Sequence, residues 1–215
     1  MNPKTLDEKL NEGRQYRNTM EIRALDQEEE KQIVEGYATI FNEPYELYRF
    51  QWLGKPYIVR EQVDPSAFDE TDMDDVIMQY DHEGRVFARR SNGTLGLEVD
   101  EHGLKIRADL SGTQIGRQLY EEINGGYTNK MSFGFTVASD KHEIEEDDEK
   151  IIDTRTILGI RKLYDVSAVS LPANNATEIS ARSYVDGLIA ELTEERRKRD
   201  EIEKQKQKIR IMLDL

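Results

Sequence analysis

The chain of 215 residues contains no cysteine. Disulfide frameworks, thiolate nucleophiles and cysteine-bound zinc are thereby excluded, and stability has to come from packing. Histidine is nearly as scarce: three copies stand at positions 82, 102 and 142, too far apart for the His-Glu-x-x-His spacing of a helical zinc site. No metal and no cofactor is expected. Long apolar runs are missing too. Nothing approaches the roughly 20 apolar residues of a membrane span, and Met1-Asn2-Pro3-Lys4-Thr5-Leu6-Asp7-Glu8 lacks the apolar stretch of a secretory signal. The expectation is a cytoplasmic protein with no membrane partner. Positive charge is short as well, with 30 Lys and Arg against 44 Asp and Glu, a net −14. A folded body that binds duplex nucleic acid ordinarily presents a basic face, which this acidic excess opposes. No specific nucleic-acid partner is expected.

What is present, 37% hydrophobic and 34% charged residues, suits one medium-sized domain with an extension. Residues 1–19 read as a flexible or weakly helical lead-in, because Thr5 to Arg17 is polar with only Leu6 and Leu10 at helical spacing. From Met20 the pattern turns to short strand-like runs: Met20 to Leu25, Gln32 to Phe41, Ile58 to Val63 and Val76 to Tyr80. Between the last two, Asp64-Pro65-Ser66 closes the strand, and its Asp or Ser can cap a following helical turn at Ala67-Phe68. Leu95 to Val99 and Leu104 to Leu110 flank Asp100-Glu101-His102-Gly103, a hairpin in which Gly103 is expected to supply positive φ. Thr113 to Asn124, with Ile115, Leu119 and Ile123 at four-residue spacing and Gly125-Gly126 as the stop, is the strongest helix of the body. Lys130 to Ala138, Ile151 to Leu158 and Leu163 to Leu171 read as three more strands, with an acidic hairpin tip around Glu145 to Glu149.

The tail, 183–215, balances eight basic against eight acidic residues. Residues 184–213 contain no proline and carry Val185, Leu188, Ile189, Leu192, Ile202, Ile209 and Leu213, the narrow apolar seam of a long charged helix. No apolar residue stands between Leu192 and Ile202, so the distal half is expected to pair with another chain or to move freely. The fold class that follows is α+β: a β-rich, barrel-like and mostly antiparallel domain over 20–180, a few helices, and a long C-terminal helix.

Three residues stand out as carriers of chemistry. His82 follows an apolar strand and opens a glycine-containing loop, Asp81-His82-Glu83-Gly84, where a rigid sheet commonly holds reactive groups. His102, in a hairpin turn, and His142, beside an acidic loop, read as solvated surface residues. Ser132 alternates with Met131, Phe133, Phe135 and Val137, so it faces away from the aromatics, either as an ordinary strand serine or as a nucleophile with room for a peptide above Gly134. Asp165 interrupts the apolar run Leu163 to Leu171. It either reaches solvent at the strand end or has a buried partner such as an imidazole.

Several segments in this order resemble the prohead maturation proteases of tailed bacteriophages, which are similar in fold to the herpesvirus capsid-assembly protease. They are Glu35-Gly36-Tyr37-Ala38 with Phe41-Asn42, Val63-Asp64-Pro65-Ser66-Ala67-Phe68, the His82 loop, the Gly103-Leu104 hairpin, Met131-Ser132-Phe133-Gly134-Phe135, and Asp165-Val166-Ser167 through Leu171-Pro172-Ala173-Asn174. The resemblance implies a serine endopeptidase, with 20–180 as its protease domain, that works inside the assembling prohead in the bacterial host cytoplasm. There it cleaves scaffold, or the scaffold segment of the major capsid protein, and then itself. It makes Ser132 the nucleophile and His82 the general base. Asp165 stands where the family's Leu-x-Glu-Val-Ser pattern usually carries glutamate, and would be the third member. Herpesvirus relatives use a second histidine there, and neither His102 nor His142 occupies a matching place. The implied partners are the major capsid protein and its scaffold segment, or a scaffold protein. A homo-oligomer is also compatible, and the charged helix 183–215 is the implied contact to scaffold. The alternative is a noncatalytic capsid scaffold or interaction protein; a hydrolase working through a pair of carboxylates is a third and weaker reading.

Overall fold

The computed structural model describes residues 13–25, 31–170, 190, 192–194 and 196–206. Ten strands dominate it: β1 (Gln15–Ala24), β2 (Ile33–Ile40), β3 (Tyr45–Trp52), β4 (Lys55–Val63), β5 (Ile77–Tyr80), β6 (Glu83–Arg89), β7 (Leu95–Val99), β8 (Gly103–Asp109), β9 (Lys130–Glu146) and β10 (Ile151–Val169). They join in the order β3-β4-β10-β9-β1-β2-β8-β7, while β5 pairs with β10 and carries β6 on its far side. Every pairing is antiparallel except two. The 19 residues of β10 are long enough to take β4 in parallel along Ile151–Ile157 and β5 in parallel along Asp165–Ala168.

Side-chain alternation decides which face of this sheet turns inward. In β9, Met131, Phe133, Phe135 and Val137 are each 0% exposed and meet Val34, Ala38, Leu104, Ile106, Ile160, Leu163 and Val166 in one core. The sheet curls around that core until Phe41, just past β2, forms an isolated bridge with Val63 at the end of β4. The shape is therefore barrel-like, but one bridge rather than a ladder joins those strands, and the sheet does not close. Helix α1 (Gln114–Asn124) packs Leu119, Tyr120 and Ile123 inward, and the Thr113 hydroxyl caps it by accepting the Gly116 N–H at 3.0 Å. Of the two caps the sequence offered, Asp64 serves, and the short 3-10 turn it caps runs over Pro65–Phe68.

The structure corrects several expectations. The lead-in 1–19 is neither helical nor loose at its end: β1 starts at Gln15, and Gln15, Tyr16 and Arg17 pair with Phe135, Gly134 and Phe133; residues 1–12 lie outside the described residues. Strands β3 and β6 are additional. The two strands expected between Ile151 and Leu171 form one continuous β10 interrupted by register shifts, and β9 runs on to Glu146, so the acidic tip is a tight turn at 147–150. Gly103 has no positive φ. Glycine is needed there because a Cβ would run into the Thr39 carbonyl on β2. Of the tail, the described residues between 190 and 206 are helical. Leu192 packs against the outer cluster of Tyr57, Val59 and Ile151, whereas 196–206 are exposed. The closing motif Leu171-Pro172-Ala173-Asn174 lies outside the described residues. No helix among them is long and apolar enough to cross a membrane.

Candidate active site

Strands β9 and β10 bring the first two candidate residues together. Their register sets Ser132 opposite Ser167 and Gly134 opposite Asp165. With a side-chain period of two, Ser132 and Gly134 share the face turned away from the aromatic core. Asp165 reaches that same face only through an irregularity. Leu163 pairs with Phe135 and Asp165 with Gly134, so two steps on β10 match one on β9 and Tyr164 is the extra residue of a bulge. Without it, Asp165 would point into the core beside Leu163, since residues two apart share a face.

His82 arrives from the neighbouring hairpin. Tyr80 pairs with Glu83, leaving Asp81 and His82 as the two turn residues, both with positive φ, 47° and 61°. That is the hand of a type I′ turn, which suits strand twist but costs ~1–3 kcal/mol at a non-glycine residue. The expected loop is thus a tight turn. Asp81 offsets the strain: its N–H donates to the Ala168 carbonyl at 3.0 Å, and its carboxylate accepts the Ser170 N–H at 3.0 Å and hydroxyl at 2.9 Å. The turn is thereby tied to the end of β10.

The result is a continuous chain of hydrogen bonds. His82 Nδ1 lies 2.5 Å from Asp165 Oδ1, and Nε2 lies 2.5 Å from Ser132 Oγ. A carboxylate only accepts, so Nδ1 carries the proton; the bare Nε2 of the neutral ring then accepts from the serine hydroxyl. Asp165 is 0% exposed, a costly place for a carboxylate unless several donors surround it. Two more do. The Ser167 hydroxyl donates to Oδ1 at 2.7 Å, and the Arg14 guanidinium bonds Oδ2. The Tyr16 ring packs against the imidazole with centroids 4.2 Å apart. Burial first, and the Arg14 charge second, push the His82 pKa down from 6.5 to about 4 against the opposing pull of Asp81. The imidazole is therefore a neutral base at neutral pH, able to take a proton from the hydroxyl it touches.

Gly134 does not leave an opening for a peptide, as the sequence had suggested. A Cβ there would strike Asp165 Oδ2 and lie 2.9 Å from both Arg14 Nε and Tyr16 Cε1. The missing side chain makes room for the carboxylate and its partners. His102 is exposed and meets the Tyr37 ring edge-on. His142 is not simply solvated: its side chain is 21% exposed, and Nδ1 sits 2.9 Å from Asp153, which also accepts from the Tyr57 hydroxyl at 3.3 Å. It stands ten positions along β9 from Ser132, roughly 30 Å away at strand rise, and takes no part in the cluster. Sequence reasoning missed Arg14, Tyr16 and Ser167. Arg14 and Tyr16 alternate with Gln15 and Arg17 as a strand should, but all four are polar or aromatic and give no apolar signal. Among the described residues, no group of three or more His, Asp or Glu is gathered as metal ligands would be.

No curated protein and no solved structure matches the chain. A family model described as caudovirus prohead serine protease matches residues 18–188, most of the chain, including the strands and turn that carry serine, imidazole and carboxylate. This chain belongs to that family of serine proteases.

Proposed function

We propose that Ser132 is the nucleophile, His82 the general base and Asp165 the orienting acid of an endopeptidase that cleaves scaffold, or the scaffold segment of the major capsid protein, inside the prohead, and afterwards itself. The observation that carries this reading is the unbroken path from Asp165 Oδ1 through both ring nitrogens of His82 to Ser132 Oγ, with 2.5 Å at each step. In the reaction, Nε2 takes the hydroxyl proton as Oγ attacks the scissile carbonyl. The same proton goes to the leaving amine as the peptide bond breaks, and water, activated by His82, then hydrolyses the acyl-enzyme. Asp165 keeps Nδ1 protonated and stabilises the imidazolium formed in each half-reaction.

Membership of the family supports a capsid-maturation role within the assembling prohead of the host. Burial fits an enzyme that is quiet until assembly. Ser132 is 0% exposed and the His82 side chain 11%, so a peptide reaches the hydroxyl only after the groups over it move. The exposed charged helix at 196–206 is a suitable contact to scaffold. Co-expression with the cognate capsid protein and scaffold tests the substrate. Wild type should yield shortened scaffold or capsid protein, and Ser132→Ala should leave both at full length. Full-length products with wild type in assembled proheads would count against this substrate class.

A further inference from the structure

One charged side chain at the site has no part in moving the proton. Arg14 precedes the residues matched by the family, 18–188, and lies 151 residues from the acid it touches. Its Nη2 takes Oδ2 of Asp165, the oxygen that His82 and Ser167 leave free. The guanidinium carbon sits 4.5 Å from the centre of the Tyr164 ring and 5.2 Å from that of Tyr16. Each ring has its own anchor: Tyr164 is the bulged residue of β10, and Tyr16 pairs with Gly134 on β9. The absent side chain of Gly134 leaves the space that the guanidinium enters. Two aromatic faces, a buried carboxylate and a glycine thus fix one cation, where an ordinary surface pair is tied at a single point.

We propose that Arg14 is a positioning residue of the protease, holding Oδ2 so that the plane of the Asp165 carboxylate presents Oδ1 to His82 Nδ1. The proposal rests on the assignment of Ser132, His82 and Asp165 given above. Arg14 also has an electrostatic effect. The charged and titratable groups facing the imidazole are Asp165 from β10, Arg14 just before β1, Tyr16 from β1, and Asp81 from its own turn. Of these, Arg14 is the cation, and it opposes protonation of the ring. A residue that merely stabilised the fold would alter the amount of active enzyme and leave the pH profile where it was.

The test is the initial rate of cleavage of the cognate scaffold segment by wild type, Arg14→Gln and Arg14→Lys as a function of pH, with Ser132→Ala alongside and circular dichroism on each. Arg14→Gln should lower kcat by about 10–100-fold, as a misplacement of order 1 Å does. It should also move the acid limb of kcat/KM upward, away from the low value of wild type. Arg14→Lys keeps the charge but loses the planar fork; it should keep the acid limb and lose rate. A wild-type rate and profile for Arg14→Gln, with Ser132→Ala inactive, would overturn the role of Arg14 and leave the triad standing. Activity in Ser132→Ala would instead overturn the triad. If Arg14→Gln fails to fold, Arg14→Lys decides: a wild-type kcat rejects the proposal, and a reduced kcat with an unmoved acid limb supports it.

Discussion

Gly134 shows how closely the chemistry depends on single residues. Its missing Cβ is the volume into which Asp165, Arg14 and Tyr16 converge. Gly134→Ala should therefore push the carboxylate away from His82 and slow cleavage by about 10²-fold, the usual cost of a misplacement near 1 Å. Circular dichroism should remain native, and an unchanged rate would show that the acid tolerates displacement. At this scale the sequence was informative where residue type and pattern clashed. A serine on the polar side of an aromatic strand, a histidine after an apolar one and an acid in a run of Leu and Val could each be singled out. Arg14 could not, because nothing local distinguishes it from the other charges near the start of the chain. Its significance comes from a contact across 151 residues.

Among the elements, β10 does most to assemble the site, and its bulge decides the outcome. Leu163, Val166 and Ala168 enter the core while Asp165 and Ser167 face the imidazole, an alternation that works only with Tyr164 counted out. Deleting Tyr164 should leave Leu163 and Asp165 adjacent in regular alternation, so that Asp165 still faces Ser167 and His82 while Arg14 loses one of its two aromatic faces. Cleavage and the urea midpoint should therefore largely survive the deletion, whereas Asp165→Ala, which strips His82 of its orienting acid, should lower kcat by about 10⁴-fold. Loss of cleavage in a folded deletion variant would mean that the orientation of Asp165 depends on Tyr164 itself and not on the alternation of its neighbours. The strand itself was visible in the apolar composition of Leu163 to Leu171. Its register slip was not, because a bulge is fixed by the partner strand and leaves no local mark. The Asp81-His82 turn was read as a loop for a similar reason. Tight hairpins of this hand usually announce themselves with Asn-Gly or Asp-Gly, and here the anchoring of Asp81 to Ser170 takes the place of the glycine.

Across the whole molecule, a buried ionic cluster fastens the same N-terminal strand from its other face. Glu61 of β4 is 0% exposed and accepts from Arg17 of β1 at 2.5 and 2.8 Å, from Arg155 of β10 at 2.8 Å and from the Tyr45 hydroxyl of β3 at 2.6 Å. Burial by itself would raise its pKa, but the Arg17 and Arg155 charges outweigh burial and hold the carboxyl at about 2 instead of 4.5. Its contribution to stability is therefore complete above 4.5 and is lost as pH falls toward 2. For His82, depressed from 6.5 to about 4, the contribution is complete above 6.5 and is lost as pH falls toward 4. Urea midpoints should accordingly decline in two stages on acidification. Glu61→Gln should abolish the lower stage and cost about 3–5 kcal/mol at neutral pH, because the Arg17 guanidinium loses its counter-charge and Arg155 is left with Asp140. A lower stage that persists in Glu61→Gln would assign acid sensitivity elsewhere. The broad plan of this molecule, a β-rich body with one good helix and a charged helical tail, could be read from periodicity and charge. The N-terminal part of β1, Gln15 to Arg17, which secures both the ionic cluster and the site, could not, since its mixed polar pattern acquires meaning only once β9 lies beside it.

The most direct measurement is intact mass over time for the purified chain at high concentration, wild type beside Ser132→Ala, with circular dichroism showing that both are folded. Fragmentation of wild type at defined sites, with Ser132→Ala remaining whole, is the predicted result. Equal fragmentation of the two folded proteins would contradict the account, because peptide bonds would then be broken without the Ser132 hydroxyl.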